Sequence, residues 1–408
     1  MNEKKSPSSI PYVLIIVASL GYFVDIYDLV LFNVVKVDSL KALGLTGDAI
    51  KEVGLSLFNW QMAGMLVGGM IWGIMGDKIG RIKVLFGSIL LYSIANIANA
   101  YVPDITWYAI VRFIAGIGLA GELGAGITLV SESMHKEKRG YGTMIIVTFG
   151  ALGALFAYYI GKFGWKEAYL VGGGMGLVLL LLRVGTYESG MFKNLLADKI
   201  PRGNFFMLFQ SRNTFFKYLY CIMIGLPVWF IVGVLINLSE SHFSEVLGMG
   251  GQIETGKCVF YCYLGLSVGD LVSGFLSQLL RSRKKVVFIF LLTSAIVILL
   301  YLFGSRNNPS LFYLSCMLLG AGTGYWALFV TIASEQFGTN IRSTVTTTAP
   351  NFVRGAVVPI TLVFKNMANS WGVINSSLIV GGICIVLAVF SMYKLKETFA
   401  KELDYLEV

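Results

Sequence analysis

Twelve apolar runs, each ~18–25 residues long, are what this chain has to fold around. They fall at about 11–35, 55–75, 84–101, 106–131, 141–161, 167–186, 216–237, 257–280, 286–303, 310–334, 344–364 and 373–393. A helix of that length spans the hydrocarbon of a bilayer, and none of the runs shows the period-2 alternation of a membrane barrel strand. Charged residues make up 13% of the 408 and hydrophobic ones 56%, whereas soluble domains carry about 25% charge. The sequence therefore predicts an all-α membrane protein with twelve transmembrane helices and the lipid bilayer as its solvent.

The net charge of +9 is a matter of placement. With the N-terminus inside, and with the edge residues Lys217 and Lys257 counted in the segments they adjoin, the inner segments hold 21 of the 32 Lys+Arg and the outer ones 8, while Arg112, Arg183 and Arg354 lie in or at the edge of spans. That asymmetry follows the positive-inside rule and puts both termini in the cytoplasm. It also removes the reason to invoke nucleic acid. Cys221, Cys258, Cys262, Cys316 and Cys384 all fall in spans and read as small apolar residues. His135 and His242 lie in loops, so no metal site and no cofactor is implied, and no nucleophile–base pair suggests an enzyme. Lys4 and Lys5 precede a first run that is too long for a signal-peptide core and carries acids. Compact loops suggest a bacterial inner membrane, and a monomer is expected.

Three features recur at nearly equal offsets. Glu132 and Arg139 reappear as Glu335 and Arg342, Glu188-Ser189 as Glu397-Thr398, and Gly73-x-x-x-Asp77 in degraded form as Gly274-x-x-x-Gln278. Offsets near 200 divide the chain into two parallel six-helix halves. The expected organisation is an N-terminal bundle over 1–186, a basic linker over 187–215, and a C-terminal bundle with a short tail over 216–408.

The turn Gly73-x-x-x-Asp77-Lys78-x-Gly80-Arg81-x-Lys83 joins the second and third runs. It resembles the signature loop between helices 2 and 3 of the major facilitator superfamily, with Ile82 where a base is usual. Arg112 and the glycines after it resemble that superfamily's fourth-helix motif, and Gly121-Glu122 resembles its metabolite:proton symporters. Asp25-x-Tyr27-Asp28-Leu29 resembles the first helix of its organic-solute symporters. The Asp-Tyr-Pro of phosphate carriers is replaced by Glu122-Leu123-Gly124, which argues against phosphate. The Gly-Pro pair of drug exporters is missing from the fifth span. The resemblance covers essentially the whole chain and implies two pseudo-symmetric bundles and secondary active transport of a small polar solute. Proton-coupled import of an organic acid or amino-acid-like metabolite is the leading reading. Export of a siderophore-like or toxic compound is the alternative.

Ionisable residues inside a membrane are costly and usually functional. Asp25 and Asp28 read either as structural ion-pair members or as protonatable coupling sites. Arg112 needs an acid, and Asp28, then Asp25, is nearest in depth. Glu122 is a further proton candidate. Asp270 and Arg354 lie at similar depth and either pair, or leave Arg354 with Asn351 to clamp a solute carboxylate, which suits a guanidinium. Gln61, Tyr27, Trp229, Tyr325 and Trp326 are candidate cavity residues or ordinary packing. Gly73, Asp77, Lys78, Gly80 and Arg81, with Glu132 and Arg139 and their copies Glu335 and Arg342, form an expected cytoplasmic gate. In it Asp77 would cap a facing helix. Two nucleotide-like strings, Gly116-x-Gly118-x-x-Gly121 and Gly251-x-x-x-x-Gly256-Lys257, follow no strand, and the first lies inside an apolar helix, so neither reads as a phosphate site.

Overall fold

The computed structural model describes residues 12–184 and 202–407. The Glu188-Ser189 repeat member and much of the expected linker lie outside the described residues. The N-terminal half consists of α1 (Tyr12–Ala42), α2 (Asp48–Ile79), α3 (Arg81–Asn99), α4 (Ile105–Ser133), α5 (Arg139–Gly161) and α6 (Trp165–Leu182). The second half consists of α7 (Arg212–Ile236), α8 (Thr255–Leu279), α9 (Arg283–Gly304) and α10 (Pro309–Gln336). It is completed by α11, in two segments Arg342–Gly355 and Val357–Trp371, and α12 (Val373–Lys394). The order is that of two pseudo-symmetric six-helix bundles, with no strand among the described residues.

Residue chemistry sets the breaks. Gly80, at φ +107°, lets α2 end and α3 begin without an intervening loop, a backbone angle that L side chains rarely adopt. Asp104, Ser282 and Asn308 cap α4, α9 and α10 by accepting from Trp107 N (2.9 Å), Lys285 N (3.3 Å) and Leu311 N (3.0 Å). The helix α7 begins at Arg212, earlier than the apolar run at 216, because its first turn, Arg212-Asn213-Thr214, is polar and adds nothing to the apolar signal.

The halves meet along α2 against α11 and, at the pseudo-equivalent place, α5 against α8. Glycine and hydroxyl residues make that contact. A Cβ at Gly73 would lie 3.0 Å from the Thr344 carbonyl oxygen, and one at Gly69 would lie 2.7 Å from Asn351 Cβ. Backbones can approach this closely only where side chains are small. Two hydroxyl pairs repeat across the seam: Thr128 with Thr346 at 2.5 Å, and Thr331 with Thr143 at 2.9 Å.

Ten helices among the described residues are long and apolar enough to cross a membrane by themselves. The other two spans, α2 and α11, are the helices that carry the seam. Gly64, Gly68, Gly69, Gly73 and Gly76 of α2 and residues 343–351 of α11 are buried.

A Thr128→Cys/Thr346→Cys double variant is expected to form a disulfide under mild oxidant and to abolish transport, with recovery on reduction. Transport that continues with the crosslink formed, read by gel mobility and uptake in parallel, would contradict a seam that must separate.

Candidate functional site

At mid-depth, where the two halves face each other, lies a small cavity of about 20 Å³, room for roughly one water. Tyr22 of α1, Trp229 of α7, Tyr263 of α8, Trp326 of α10 and Arg354 of α11 line it. The Arg354 guanidinium sits 5.7 Å from the Trp229 ring centroid and 5.8 Å from that of Trp326. Two indole faces stabilise a cation in place of water. Its Nη1 donates to Asn351 Oδ1 at 3.3 Å, and Nη2 faces Asp25 Oδ2 at 3.8 Å without a hydrogen bond. Asn351 is itself fixed, its amide donating to the Ala120 and Thr347 carbonyls at 2.8 and 2.7 Å. Trp326 Nε1 donates to the Tyr22 hydroxyl at 3.1 Å, so an indole of one half is anchored on the other.

The helix breaks account for part of this placement. Both α4 and α10 are interrupted at mid-depth, at 120–121 and at 324–325, and α11 is interrupted at Ala356. Unwound backbone at this depth is tolerated where protein or a cavity surrounds it. Asp270 of α8 answers one break: its Oδ1 accepts from Ala327 N at 2.9 Å and so caps the second segment of α10. The expected Asp270–Arg354 pair is therefore not formed. A free helix N-terminus is the nearer demand on the carboxylate, and Arg354 faces Asp25 across the halves instead.

Arg112 also differs from expectation. Its nearest partners are not Asp28 or Asp25. Nη2 donates to Gln61 Oε1, Nη1 donates to the Tyr169 hydroxyl at 3.3 Å, and the Phe32 ring lies 4.5 Å away. A neutral amide, a phenol and a ring face satisfy the cation without a carboxylate. Asp28 is fully buried against Gly172 with the neutral Asn96 amide beside it, and among the described residues no cation is ion-paired with it. Glu122 is bidentate to Arg183, its Oε2 accepting from Nη1 at 3.1 Å and its Oε1 from Nη2. The sequence reading noted Arg183 at a span edge but did not assign it this partner. Tyr27 and Tyr325 turn away from the cavity and donate to the Ala168 and Ile224 carbonyls at 2.8 and 2.9 Å.

The face that carries the termini is closed by charge. Glu132 Oε1 binds Arg81 of its own half at 2.9 Å and Arg342 of the other half at 3.1 Å. Glu335 Oε1 binds Arg283 of its own half at 3.4 Å and Arg139 of the other half at 3.6 Å. Each acid is thus shared between halves. The expected grouping of Arg139 with Arg81 and Glu132 is exchanged for its copy. Asp77 accepts from Ser343 N at 3.1 Å and Thr344 N at 2.8 Å, capping α11 across the seam, and lies 3.4 Å from Arg81. In the other half Gln278 occupies the matching place, against Gly140 at the start of α5. Lys78 is exposed. The C-terminal stretch 395–407 runs beneath both halves. Arg139 Nη1 donates to the Lys401 carbonyl at 3.1 Å, Thr339 N to the Tyr405 carbonyl at 2.8 Å, and Lys136 pairs with Glu402.

A family model described as Major Facilitator Superfamily matches residues 18–359. The chain belongs to that superfamily. It is a family of transporters, not enzymes. This major facilitator protein is 28% identical over 349 residues to the putative niacin/nicotinamide transporter NiaP of Bacillus subtilis (strain 168), covering 83% of this chain and 84% of the relative. It is 26% identical over 408 residues to the cis,cis-muconate transport protein of Acinetobacter baylyi, covering 95% and 94%. The solved structure of the proton:xylose symporter XylE superposes with a TM-score of 0.79 at 18% identity, over 97% of this chain and 98% of that one. This last likeness is one of fold.

On the face opposite the termini a second cavity, of about 190 Å³, enters between the halves. Lys36, Lys51 and Glu240 line it, and Glu240 is occupied in capping α8 through Thr255 N at 3.1 Å. Burial, then the nearby charges of Lys365, Lys51 and Lys36, push the loop imidazole of His242 down to about 4. Lys51 also pairs with Asp48 at 3.0 Å, so the two lysines of the mouth face two carboxylates.

Several site residues escaped the sequence reading: Arg183, Tyr22, Tyr169 and the four seam threonines. The threonines carried a usable signal, since Thr128 and Thr331 are separated by the same 203 residues as Glu132 and Glu335. Removing the Asp77 cap by Asp77→Ala is expected to cost the closed terminal face about 1 kcal/mol. That is roughly a fivefold population shift. Turnover should slow while solute affinity changes little, as read from separate binding and uptake measurements. Lost binding with normal turnover would contradict this.

Proposed function

We propose that this major facilitator protein imports a small organic carboxylate together with protons by alternating access, with both termini in the cytoplasm of a bacterial inner membrane. The observation that carries the reading is Arg354. It is a buried guanidinium with two indole walls, a fixed amide at one nitrogen, and at the other only a distant carboxylate. With the halves parted enough to widen the cavity, which here has room for about one water, a planar acid would place its carboxylate on the guanidinium and its apolar body against Trp229 and Trp326. The relatives named for niacin and muconate transport support that class of solute. The basic residues on the terminal face support the orientation.

Proton coupling rests on Asp28 and Asp25. A buried charge with no paired counter-charge is costly, and taking a proton removes that cost. Asp28 has the neutral Asn96 amide beside it and no paired cation among the described residues, while Glu122 is paired with Arg183 and Asp270 caps a helix N-terminus through one oxygen. Asp25 competes with solute for Arg354. Binding of a carboxylate would release Asp25 from the cation and make it the second proton acceptor.

Arg354→Gln is expected to lose about 2–5 kcal/mol of nicotinate or benzoate binding. Arg354→Lys should recover little, because an ammonium lacks the planar fork. Calorimetry on the purified protein checks this, with neutral nicotinamide as control. Equal binding of nicotinamide and nicotinate would sink the carboxylate reading. In proteoliposomes, Asp28→Asn should abolish gradient-driven accumulation while leaving counterflow exchange. His242, held down to about 4, is neutral between pH 5 and 8. His242→Gln should therefore leave the pH profile of uptake unchanged, whereas a profile that moves with this variant would reassign the proton site.

A further inference from the structure

A large open cavity lies away from the seam. It measures about 790 Å³ and sits at the terminal end of the second half, where the start of α7, the end of α12 and the C-terminal stretch converge. Arg212, Lys217, Lys394, Lys396 and Lys401 line it, with Glu407 as the one acid among its lining residues. Every lining residue belongs to the second half, so the cavity is not part of a path between the bundles.

Its charge is only partly answered from within the protein. Glu407 pairs with Lys217, and Lys401 Nζ donates to the Tyr405 hydroxyl at 3.0 Å. Arg212 has the Phe216 ring 5.7 Å away, and Lys394 has the Phe390 ring at 5.6 Å. Arg212, Lys394 and Lys396 are exposed. Burial, and then repulsion from Lys217, lower the Lys401 ammonium below its ordinary range. Like charges are crowded here, which favours a bound anion.

The surroundings indicate where that anion comes from. A strip of rings runs up the outside of the cavity. Phe209 meets Phe215 (5.7 Å), Phe215 meets Phe216 (5.4 Å), Phe216 meets Tyr220 (5.9 Å), and Tyr220 meets Phe390 of α12 (5.9 Å). Phe209, Phe390 and Tyr393 are exposed. Rings of this kind at a helix end mark the level of lipid headgroups, and basic pockets between helix ends take anionic ones. A soluble phosphate would use the cations but gain nothing from the rings.

We infer that this cavity is a binding site for the phosphate headgroup of an anionic phospholipid, held by Arg212, Lys394, Lys396 and Lys401 with the acyl chains along the Phe216–Tyr220–Phe390 strip. The bound lipid would tie α7, α12 and the C-terminal stretch together. That stretch also reaches Arg139 of the first half, so the lipid would favour the closed terminal face.

The test is native mass spectrometry of the full-length protein with dioleoylphosphatidylglycerol and dioleoylphosphatidylcholine. The wild-type protein should retain one phosphatidylglycerol in preference to phosphatidylcholine. In Arg212→Gln/Lys394→Gln/Lys396→Gln that affinity should fall roughly a hundredfold, the order expected for three cations facing an anionic headgroup. The charge-conserving variant Arg212→Lys/Lys394→Arg/Lys396→Arg should keep it, and all three proteins should melt alike in phosphatidylcholine. Equal retention of the two lipids by the wild-type protein, or unchanged phosphatidylglycerol affinity in the glutamine variant, would overturn the site. Displacement of the lipid by glycerol 3-phosphate at similar concentration would overturn the lipid source and leave a soluble phosphate ester as the ligand.

Discussion

Two carboxylates, Glu132 and Glu335, hold the terminal face together, because each is divided between a cation of its own half and a cation of the other. Removing one partner from a buried pair leaves an uncompensated charge, which is strongly destabilising. Parting the halves removes a partner from both acids at once. Parting can therefore proceed only as water reaches the exposed charges. Asp77, with the N-terminus of α11, adds a third link of the same kind. The threonine pairs farther up the seam are neutral and are satisfied in part by their own helix carbonyls, so they set register more than strength.

The centre works on the opposite principle. There the charges are incompletely matched. Arg354 leans on rings and one amide, Asp25 stands off at 3.8 Å, and Asp28 has a neutral amide beside it and no paired cation among the described residues. Of the other buried acids, Glu122 is bidentate to Arg183 and Asp270 caps a helix N-terminus through one oxygen. The fold thus separates structural acids from responsive ones. In the proposed cycle the solute and the proton complete contacts that the protein leaves open.

Much of the fold was legible because its constraints are local in sequence. Apolar run lengths and the Asp77–Arg81 turn are read within a few tens of residues, and the repeat of Glu132 and Arg139, though 203 residues away, is read by matching spacing alone. The site was legible as a set of residues and much less as a set of pairs. Depth along a helix gave Asp28 to Arg112 and Asp270 to Arg354, but pairing also depends on azimuth and on competing partners. A helix break that attracts Asp270, or an amide such as Gln61 that satisfies Arg112, cannot be placed from depth. Azimuth also decides the exchange of Arg139 and Arg342 between halves. The internal repeat specified that exchange only once the two halves were set face to face.

The seam helices have a consequence for how the chain is made. Glycines in α2 and threonines in α11 permit close contact between the halves, and they also leave those two spans short of the apolarity that the other ten reach. A span of that kind gains little by entering lipid alone. During synthesis α2 needs α1 or α4 at hand, and α11 needs neighbours of its own half before α2 can receive it. Biogenesis is then ordered by the same residues that let the halves meet. A substitution that makes the seam more apolar would ease insertion at the expense of the contact that defines the mature protein.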